Sequence, residues 1–324
     1  MSRSLHIVMY HYVRPLKHSR YPEIKGLEKD GFLGQLDYIQ NHYNVVSMHQ
    51  VAEAMKGGDP LPEQSALLTF DDGYLDHYLH VFPHLMDRGL TGAFFPPVCA
   101  VDRREVLDVN KIHFILASVE HKDALVSALN DAVNAAHTSH ALESVAHYEA
   151  AWKKPFRYDT AEVIYFKRML QHVLPEDLRQ SITHRLFSQF VTTDEAAFAN
   201  ELYVDAAQLK VMIEAGMHVG GHGDQHDWLN HQDEAAQRAD IKKTRTFLDT
   251  LGATQSLASF CYPYGGYNAT TQQVLQAYGF DMAVTTEPLA VDFNRDTLLT
   301  LPRLDTNALP RSGQATFVAQ AIER

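Results

Sequence analysis

The chain has few cysteines, no long apolar run and no excess of basic residues. Only Cys99 and Cys261 occur among its 324 residues, so a disulfide framework is not expected. No stretch approaches the length of a membrane-spanning helix. Lys and Arg number 28 against 40 Asp and Glu, and the resulting formal charge of −12 opposes binding to nucleic acid or to an anionic membrane. We therefore expect no nucleic-acid partner and no membrane insertion.

The first ten residues also lack the features of an export signal. Their apolar run is too short for a secretory segment and no small-residue cleavage site follows it. This pattern predicts a cytoplasmic protein. The composition, 45% hydrophobic and 21% charged, is that of an ordinary globular chain. Single α/β barrels commonly reach this length, so one domain over residues 1–324 is expected.

Strand and helix patterns alternate along the first hundred residues and again after residue 203. The apolar runs predict strands at 5–10, 45–46, 66–70, 91–95, 217–221, 257–262 and 282–285, and a further segment at 298–304. Helical spacing predicts helices at 27–41, 48–55, 74–88, 205–215, 234–251 and 270–278. Between residues 102 and 203 only helical patterns occur, which indicates a helical insertion. The alternation favours an α/β fold with a parallel sheet or barrel, whose working residues lie at the C-terminal ends of the strands.

Two adjacent carboxylates end one of the predicted strands. Asp71 and Asp72 follow an apolar run and precede Gly73. Successive side chains of an extended chain point to opposite sides, so the two acids can hold different functions at one strand end. Burial of either acid without a partner would cost several kcal/mol, about the scale expected for an uncompensated charge. A metal, an arginine or hydrogen-bond donors should therefore lie nearby.

A pair of histidines follows a later strand. His222 and His226 are four residues apart, a spacing that places both on one face of a helical turn and lets both imidazoles bind one ion. With one added carboxylate they would form a hydrolytic type of metal site. Two surface histidines would have the same spacing. The position after a strand, in a chain with the Asp-Asp-Gly turn, favours the metal site.

A third motif closes the strand predicted at 257–262. Pro263 and Tyr264 are followed by Gly265 and Gly266, a combination that suffices for an ordinary tight turn. The alternative is a turn that exposes a backbone N–H, that of Tyr264, as a donor to an oxyanion.

These three motifs, in this order, resemble those of the polysaccharide deacetylase family, the NodB-homology group of carbohydrate esterases. Thr69 to Gly73 match the first motif, His222 and His226 the second, and Pro263 with Tyr264 the end of the third. The resemblance implies a distorted (β/α) barrel, often seven-stranded. It also implies a divalent metal held by Asp72, His222 and His226, with Asp71 as catalytic base and an N-acetylated sugar as substrate.

The chain departs from the family pattern in two places. The arginine that usually begins the third motif and orients the base is replaced by Cys261. Arg303, at the end of the last apolar segment, is the candidate replacement, although a surface arginine would fit the same position. The late leucine-x-histidine motif that supplies the general acid is also missing. His11, at the end of the first strand, is the candidate acid, or else a structural histidine.

Other residues beside the histidine pair have simpler interpretations. Asp224 is expected to cap a helix or face solvent. Trp228 and Leu229 are expected to pack beneath the motif.

The sequence thus predicts a metal-dependent N-deacetylase acting on an amino-sugar precursor of a surface glycan. An amidohydrolase acting on a non-sugar amide or cyclic imide is the first alternative, and a catalytically silent carbohydrate-binding relative is the second. The donor set suits Zn²⁺ but also Co²⁺, Ni²⁺ or Mn²⁺. The insertion is predicted to be a lid, a wall of the substrate site or a homo-oligomer surface.

Overall fold

The computed structural model describes residues 4–156 and 159–316. The chain divides into two compact units. The barrel unit comprises Met1–Pro15, Gly26–Glu105 and Ala199–Arg324, and the helical unit comprises Leu16–Lys25 and Val106–Phe198. The short segment Leu16–Lys25 therefore belongs with the helices, a grouping that the sequence pattern did not indicate.

All the named strands of the barrel unit pair in parallel, as the alternation of strands and helices predicts. The strands are β1 (Leu5–Tyr10), β2 (Val13–Arg14), β3 (Leu27–Glu28), β4 (Asn44–Val45), β5 (Ser65–Asp71), β6 (Ala93–Phe95), β7 (His218–Val219), β8 (Ser259–Cys261), β9 (Met282–Val284) and β10 (Leu304–Asp305). The main sheet has the order β10-β1-β5-β6-β7, and β4 pairs with the first half of β5. β2 pairs with β3, and β8 with β9.

Two single parallel bridges join these sheets into a ring. Gly221, just beyond β7, pairs with Phe260 of β8, and Val284 of β9 pairs with Leu301, which precedes β10. Among the described residues, the ring therefore runs through β1, β5, β6, β7, β8, β9 and the segment of β10. This closure gives the seven-stranded (β/α) barrel that was predicted.

The helices agree closely with the periodicity of the sequence. They are α1 (Lys29–His42), α2 (Met48–Met55), α3 (Phe82–Asp87), α4 (Asp108–Ser118), α5 (Lys122–Ala136), α6 (Val145–Trp152), α7 (Ala161–Arg168), α8 (Glu176–Phe190), α9 (Glu195–Leu202), α10 (Ala206–Glu214), α11 (Glu234–Leu251) and α12 (Ala269–Ala277). The helix predicted at 74–88 differs, because its first part is a wide π-type turn over His77–Val81 that continues into α3. Within the described residues, no helix combines the length and apolarity needed to cross a bilayer.

The central strand β5 explains how the barrel presents polar groups at one end. All seven of its residues are buried, from Ser65 to Asp71. Leu67 and Leu68 are fully buried and lie in two different apolar clusters, because neighbouring side chains of a strand face opposite sides. Asp71 is the last residue of the strand, so its carboxylate lies at the C-terminal edge of the barrel.

Candidate functional site

The chain turns sharply immediately after β5. Asp72 and Gly73 both have left-handed backbone conformations, with φ of 70° and 66°. A Cβ atom on Gly73 would lie 2.7 Å from the Cβ of Pro96, so a side chain has no room there. The carboxylates of Asp71 and Asp72 are both buried, at 2% and 4% exposure. The turn therefore brings two buried acids to one point, each of which needs its own partners.

The two histidines come together in a loop, and the prediction of a helical turn was wrong. Gly223 and His226 have φ angles of 76° and 61°. These left-handed conformations do not occur within a right-handed α-helix. The loop carbonyls bond to a neighbouring segment instead: the N–H groups of Val98 and Cys99 donate to the carbonyls of Gly223 and Asp224, at 3.1 and 2.9 Å. Backbone groups that a helix would use internally are thus committed elsewhere.

Both imidazoles face Asp72. The Nε2 atoms of His222 and His226 each lie 3.4 Å from Oδ1 of Asp72. Nδ1 of His222 lies 2.8 Å from the carbonyl of Cys261. Because a carbonyl only accepts, Nδ1 of His222 carries a proton, and Nε2 is the ring nitrogen that faces Asp72. Burial lowers the pKa of His226 to about 3, so this imidazole is neutral near pH 7. The pKa of His222 is raised instead, because its contacts with Cys261 and Asp72 outweigh the effect of burial.

The donor atoms fit one divalent cation. Oδ1 of Asp72 is buried and has no hydrogen-bond partner among the described residues, and the three donors lie within 4.8 Å of one another. Two ligands at about 2.0–2.1 Å from a tetrahedral Zn²⁺ are separated by about 3.3–3.4 Å. The observed separations from Asp72 have this value. Asp72, His222 and His226 therefore form a candidate divalent-metal site.

The second oxygen of Asp72 has a different partner. The hydroxyl of Tyr74 donates to Oδ2 at 2.5 Å. Burial raises the pKa of Tyr74 and the negative charge of Asp72 raises it further, so the phenol keeps its proton. The sequence motif gave no reason to select Tyr74, because a tyrosine that follows Gly73 has many alternative packing positions.

Asp71 is held by Arg303. The guanidinium donates two parallel hydrogen bonds to the carboxylate, at 2.8 Å to Oδ1 and 2.7 Å to Oδ2. Burial alone would raise the pKa of Asp71, but the charge and hydrogen bonds of Arg303 outweigh it and the pKa falls to about 2. Asp71 is therefore a carboxylate at neutral pH. The structure thus places the candidate arginine on the acid that it was predicted to orient.

Arg303 itself is fully buried and held by further contacts. Its Nε donates to the carbonyl of Thr285 at 2.7 Å, and its terminal nitrogens donate to Oγ1 of Thr69 and Sγ of Cys261, both at 3.1 Å. Cys261 is the residue that stands where the family has its arginine. The guanidinium from the β10 segment now lies against its thiol.

The two remaining predicted residues lie beside the acids and the histidines. Nε2 of His11 is 3.9 Å from Oδ2 of Asp71, and the His11 side chain is 42% exposed. Tyr264 has a φ of 56°, and its ring contacts His226 edge-on at 4.6 Å. Trp228 stacks on Tyr264 at 4.6 Å, while Leu229 is fully buried. The predicted residues are thereby all brought to one end of the barrel.

Asp224 is neither a helix cap nor a solvent-facing acid, so that expectation was wrong. Its carboxylate is 2% exposed and is bonded to Arg103 and Lys243, both at 2.7 Å. Behind it, Oδ2 of Asp240 accepts the N–H of Asp224 at 2.9 Å and that of Gln225 at 3.4 Å. These contacts fix the loop between the two histidines. The sequence could not show them, because the partners lie on other elements.

Comparisons with known proteins agree with the motifs. Residues 187–283 match the family of polysaccharide deacetylases. A segment of 46 residues is 54% identical to the poly-beta-1,6-N-acetyl-D-glucosamine N-deacetylase of Escherichia coli strain K12. This segment covers 14% of the chain and 7% of that relative's length. The resemblance to polysaccharide deacetylases is therefore confirmed over part of the chain.

Solved structures show the fold over nearly the whole chain. The Streptococcus pyogenes deacetylase PplD, in complex with acetate, superposes with a TM-score of 0.59 at 17% identity, and the match covers 96% of this chain and 95% of that one. IcaB from Ammonifex degensii superposes with a TM-score of 0.54 at 19% identity, covering 94% and 92%. The predicted α/β barrel fold is thereby confirmed.

Proposed function

We propose that this chain, which resembles polysaccharide deacetylases, is a metal-dependent N-deacetylase that removes acetate from an N-acetylated amino sugar. One observation carries the proposal. Oδ1 of Asp72 is buried without a hydrogen-bond partner among the described residues and lies 3.4 Å from two histidine Nε2 atoms. A second carboxylate, Asp71, lies next in the chain and is ionised and fixed by Arg303.

Asp72, His222 and His226 would hold the ion. Two histidines and one carboxylate are the donor set of catalytic zinc sites, which keep a position open for substrate. Zn²⁺ is therefore our first choice, with Co²⁺, Ni²⁺ and Mn²⁺ as alternatives. A divalent ion bound there would act as a Lewis acid toward the amide carbonyl and toward water.

The remaining residues would move protons and stabilise charge. Asp71 would take a proton from the attacking water, and the fork of Arg303 would hold the carboxylate in one orientation while it does so. The backbone N–H of Tyr264 would donate to the oxyanion that forms at the amide carbon. His11 would give a proton to the departing amine as the C–N bond breaks. The products are acetate and a free amino sugar.

The substrate class follows from the relatives. The curated relative is named for deacetylation of poly-beta-1,6-N-acetyl-D-glucosamine, which favours an amino sugar of a surface glycan. The predicted cytoplasmic location would instead favour a nucleotide-linked or lipid-linked precursor. Fractionation of cells that express the complete protein tests the location, and the assay below separates polymer from precursor.

The experiment measures acetate release after removal and return of metal. Purified protein is stripped with a chelator, and Zn²⁺ is then added with β-1,6-linked N-acetylglucosamine oligosaccharides or with a nucleotide-linked N-acetylhexosamine. We expect turnover of one of these sugars only after metal return, no metal binding by Asp72→Asn, and metal binding without turnover by Asp71→Asn. Metal-loaded protein that releases no acetate would refute the proposal. Ring opening of a cyclic imide would then support the amidohydrolase alternative.

A further inference from the structure

The two oxygens of Asp72 have different surroundings. Oδ1 faces the two histidines and has no hydrogen-bond partner among the described residues. Oδ2 accepts the hydroxyl of Tyr74 at 2.5 Å. A carboxylate can bind a cation through one oxygen or through both. The tyrosine occupies the oxygen that a two-oxygen mode would need.

A second tyrosine extends this contact. The side chains of Tyr12 and Tyr74 are hydrogen-bonded to each other. A carboxylate can only accept, so the single phenolic proton of Tyr74 goes to Asp72. Tyr12 must therefore donate to the oxygen of Tyr74. Consecutive hydrogen bonds polarise one another, so the donation from Tyr12 strengthens the one that reaches Asp72.

Packing fixes both rings. Tyr74 is fully buried, and its ring stacks on that of Tyr12 at 4.1 Å and on that of Tyr203 at 6.1 Å. The ring of Tyr12 also contacts Arg14, whose guanidinium lies 5.0 Å from the centre of that ring and bonds to Asp76 at 2.6 Å. The hydroxyl of Tyr74 is thus held in place by packing within the barrel unit.

From this geometry we infer that Tyr74, supported by Tyr12, is a positioning residue that limits Asp72 to one ligand oxygen. The inference rests on the proposed metal site. A one-oxygen ligand leaves a coordination position open for substrate, as a catalytic zinc site requires. Loss of such outer-shell partners typically weakens metal binding by about 10–100-fold. Release of Oδ2 would also favour ions that accept more oxygen ligands, such as Mn²⁺, over Zn²⁺.

The test measures Zn²⁺ and Mn²⁺ affinities by competition with a chromophoric chelator, without substrate. The variants are Tyr74→Phe and Tyr12→Phe, with Tyr262→Phe as the control. Tyr262 is another buried barrel tyrosine, and its hydroxyl donates to the carbonyl of Leu299 at 3.0 Å and not to a candidate ligand. Tyr262→Phe therefore loses a buried, hydrogen-bonded hydroxyl as Tyr74→Phe does, and it controls for the stability cost of that loss. Thermal unfolding without metal reports that cost for each variant.

We expect Tyr74→Phe to bind Zn²⁺ about 10–100-fold more weakly than the parent chain, with a smaller loss of Mn²⁺ affinity. Tyr12→Phe should bind Zn²⁺ about threefold or more weakly. Tyr262→Phe should have the same affinity for both ions as the parent chain. Zn²⁺ affinity of Tyr74→Phe within twofold of the parent would overturn the inference. If Tyr74→Phe does not fold, an unchanged affinity of Tyr12→Phe overturns it. A parent chain that binds neither ion refutes the proposed metal site itself, so the two failures are distinguishable.

Discussion

The pair formed by Asp71 and Arg303 shows how single side chains set the chemistry of this barrel. Both residues are buried, at 2% and 0% exposure, and they share two hydrogen bonds. The attraction of such a pair is offset by the cost of desolvating both charges, so its net contribution to stability is small. Its two parallel hydrogen bonds do fix the rotation of the carboxylate. Orientation of the proposed base is therefore the role that we propose for Arg303.

Replacement of Arg303 by Met should separate orientation from metal binding. We expect Arg303→Met to lower acetate release at least 100-fold and to reduce the free energy of unfolding by about 3–5 kcal/mol, because Asp71 is left as an uncompensated buried charge. Zn²⁺ affinity should remain within a few fold of the parent. Urea unfolding, the deacetylation assay and metal titration measure the three effects.

The double variant Asp71→Asn with Arg303→Met is the control for charge. It carries neither the negative charge of Asp71 nor the positive charge of Arg303, so most of the lost stability should return while activity stays absent. Full turnover by Arg303→Met would show that the arginine does not orient the base.

Individual site residues differ in how far the sequence could predict them. Asp71, Asp72, His222 and His226 lie in short motifs at strand ends, where parallel topology brings side chains together. Arg303 could be proposed because it also follows an apolar segment. Tyr74 and the buried position of Asp224 could not be predicted, because hydrogen bonds between distant elements depend on packing that no local pattern encodes.

Among the elements, the loop between the two histidines depends most on its neighbours. Asp240 of α11 accepts two of its N–H groups, and Val98 and Cys99 donate to two of its carbonyls. Oδ1 of Asp240 is buried and has no hydrogen-bond partner among the described residues. Burial raises the pKa of Asp240 to about 6, although the hydrogen bonds from the N–H groups of Asp224 and Gln225 lower it. The negative charge of Asp224 raises this pKa further, and the positive charge of Lys243 lowers it.

This raised pKa predicts a pH dependence of stability. The folded state of Asp240 binds a proton more tightly than the unfolded state, so its contribution is present below about pH 4 and is lost as the pH rises through about 6. A rise of the Asp240 pKa from 3.8 to about 6 corresponds to about 3 kcal/mol. Asp240→Asn keeps an oxygen for both N–H groups and cannot ionise. Its stability relative to the parent should therefore increase between pH 4.5 and 7.5, as urea unfolding in chelator would measure.

Lys243→Met is the matched control for this titration. Lys243 opposes the raised pKa of Asp240, so its removal should steepen the pH dependence and not abolish it. A difference between Asp240→Asn and the parent that is independent of pH would show that Asp240 does not titrate in this range.

The sequence predicted regular elements better than loops. The helices over Met48–Met55 and Glu234–Leu251 have the predicted bounds. In α2 a capping box from Ser47 and Gln50 marks the start, and in α11 Asp233 caps the first turn while Gly252 ends the helix. The histidine loop has no such local determinants. Its left-handed residues are stabilised by contacts with the segment that follows β6 and with α11, so helical spacing was misleading there.

At the scale of the whole chain, the three candidate metal donors, Asp72, His222 and His226, all belong to the barrel unit. An ion that binds only the folded state stabilises it by about 2.7 kcal/mol when the free ion concentration is one hundred times the dissociation constant. The donors come from the turn after β5 and the loop after β7. Metal binding should therefore tie these two parts of the barrel together.

Hydrogen exchange measured by mass spectrometry would map this effect. With saturating Zn²⁺ we expect slower exchange in peptides that cover residues 65–74 and 217–228, and no change in peptides that cover α5 and α8 of the helical unit. His226→Gln, which lacks one donor, should show no metal-induced protection. Equal protection throughout both units would contradict the prediction that the effect is confined to the barrel unit.

The parallel α/β architecture could be predicted from the alternation of elements, whereas barrel closure could not. The closing contacts are one bridge at Gly221 and one at Leu301, and single bridges leave no periodic pattern in the sequence. The seven-stranded ring was therefore expected only from the family resemblance. A homo-oligomer formed through residues 102–203 stays a prediction, and light scattering of the purified protein would test it.

The position of the closing bridges has a consequence for inactivation. Arg303 lies two residues beyond the bridge at Leu301, whereas Asp71 ends β5, which is paired on both sides along the main sheet. The guanidinium of Arg303 bonds to Asp71 within the main sheet and, across the bridge, to the carbonyl of Thr285 just after β9. Arg303 therefore links the two segments that this bridge joins. Opening of this bridge would break the hydrogen bond to Thr285 and leave the guanidinium less firmly held, so the carboxylate of Asp71 would lose its fixed orientation before the well-paired strands separate. Under mild denaturant, we therefore expect the proposed deacetylase activity to be lost while most of the secondary structure is still intact.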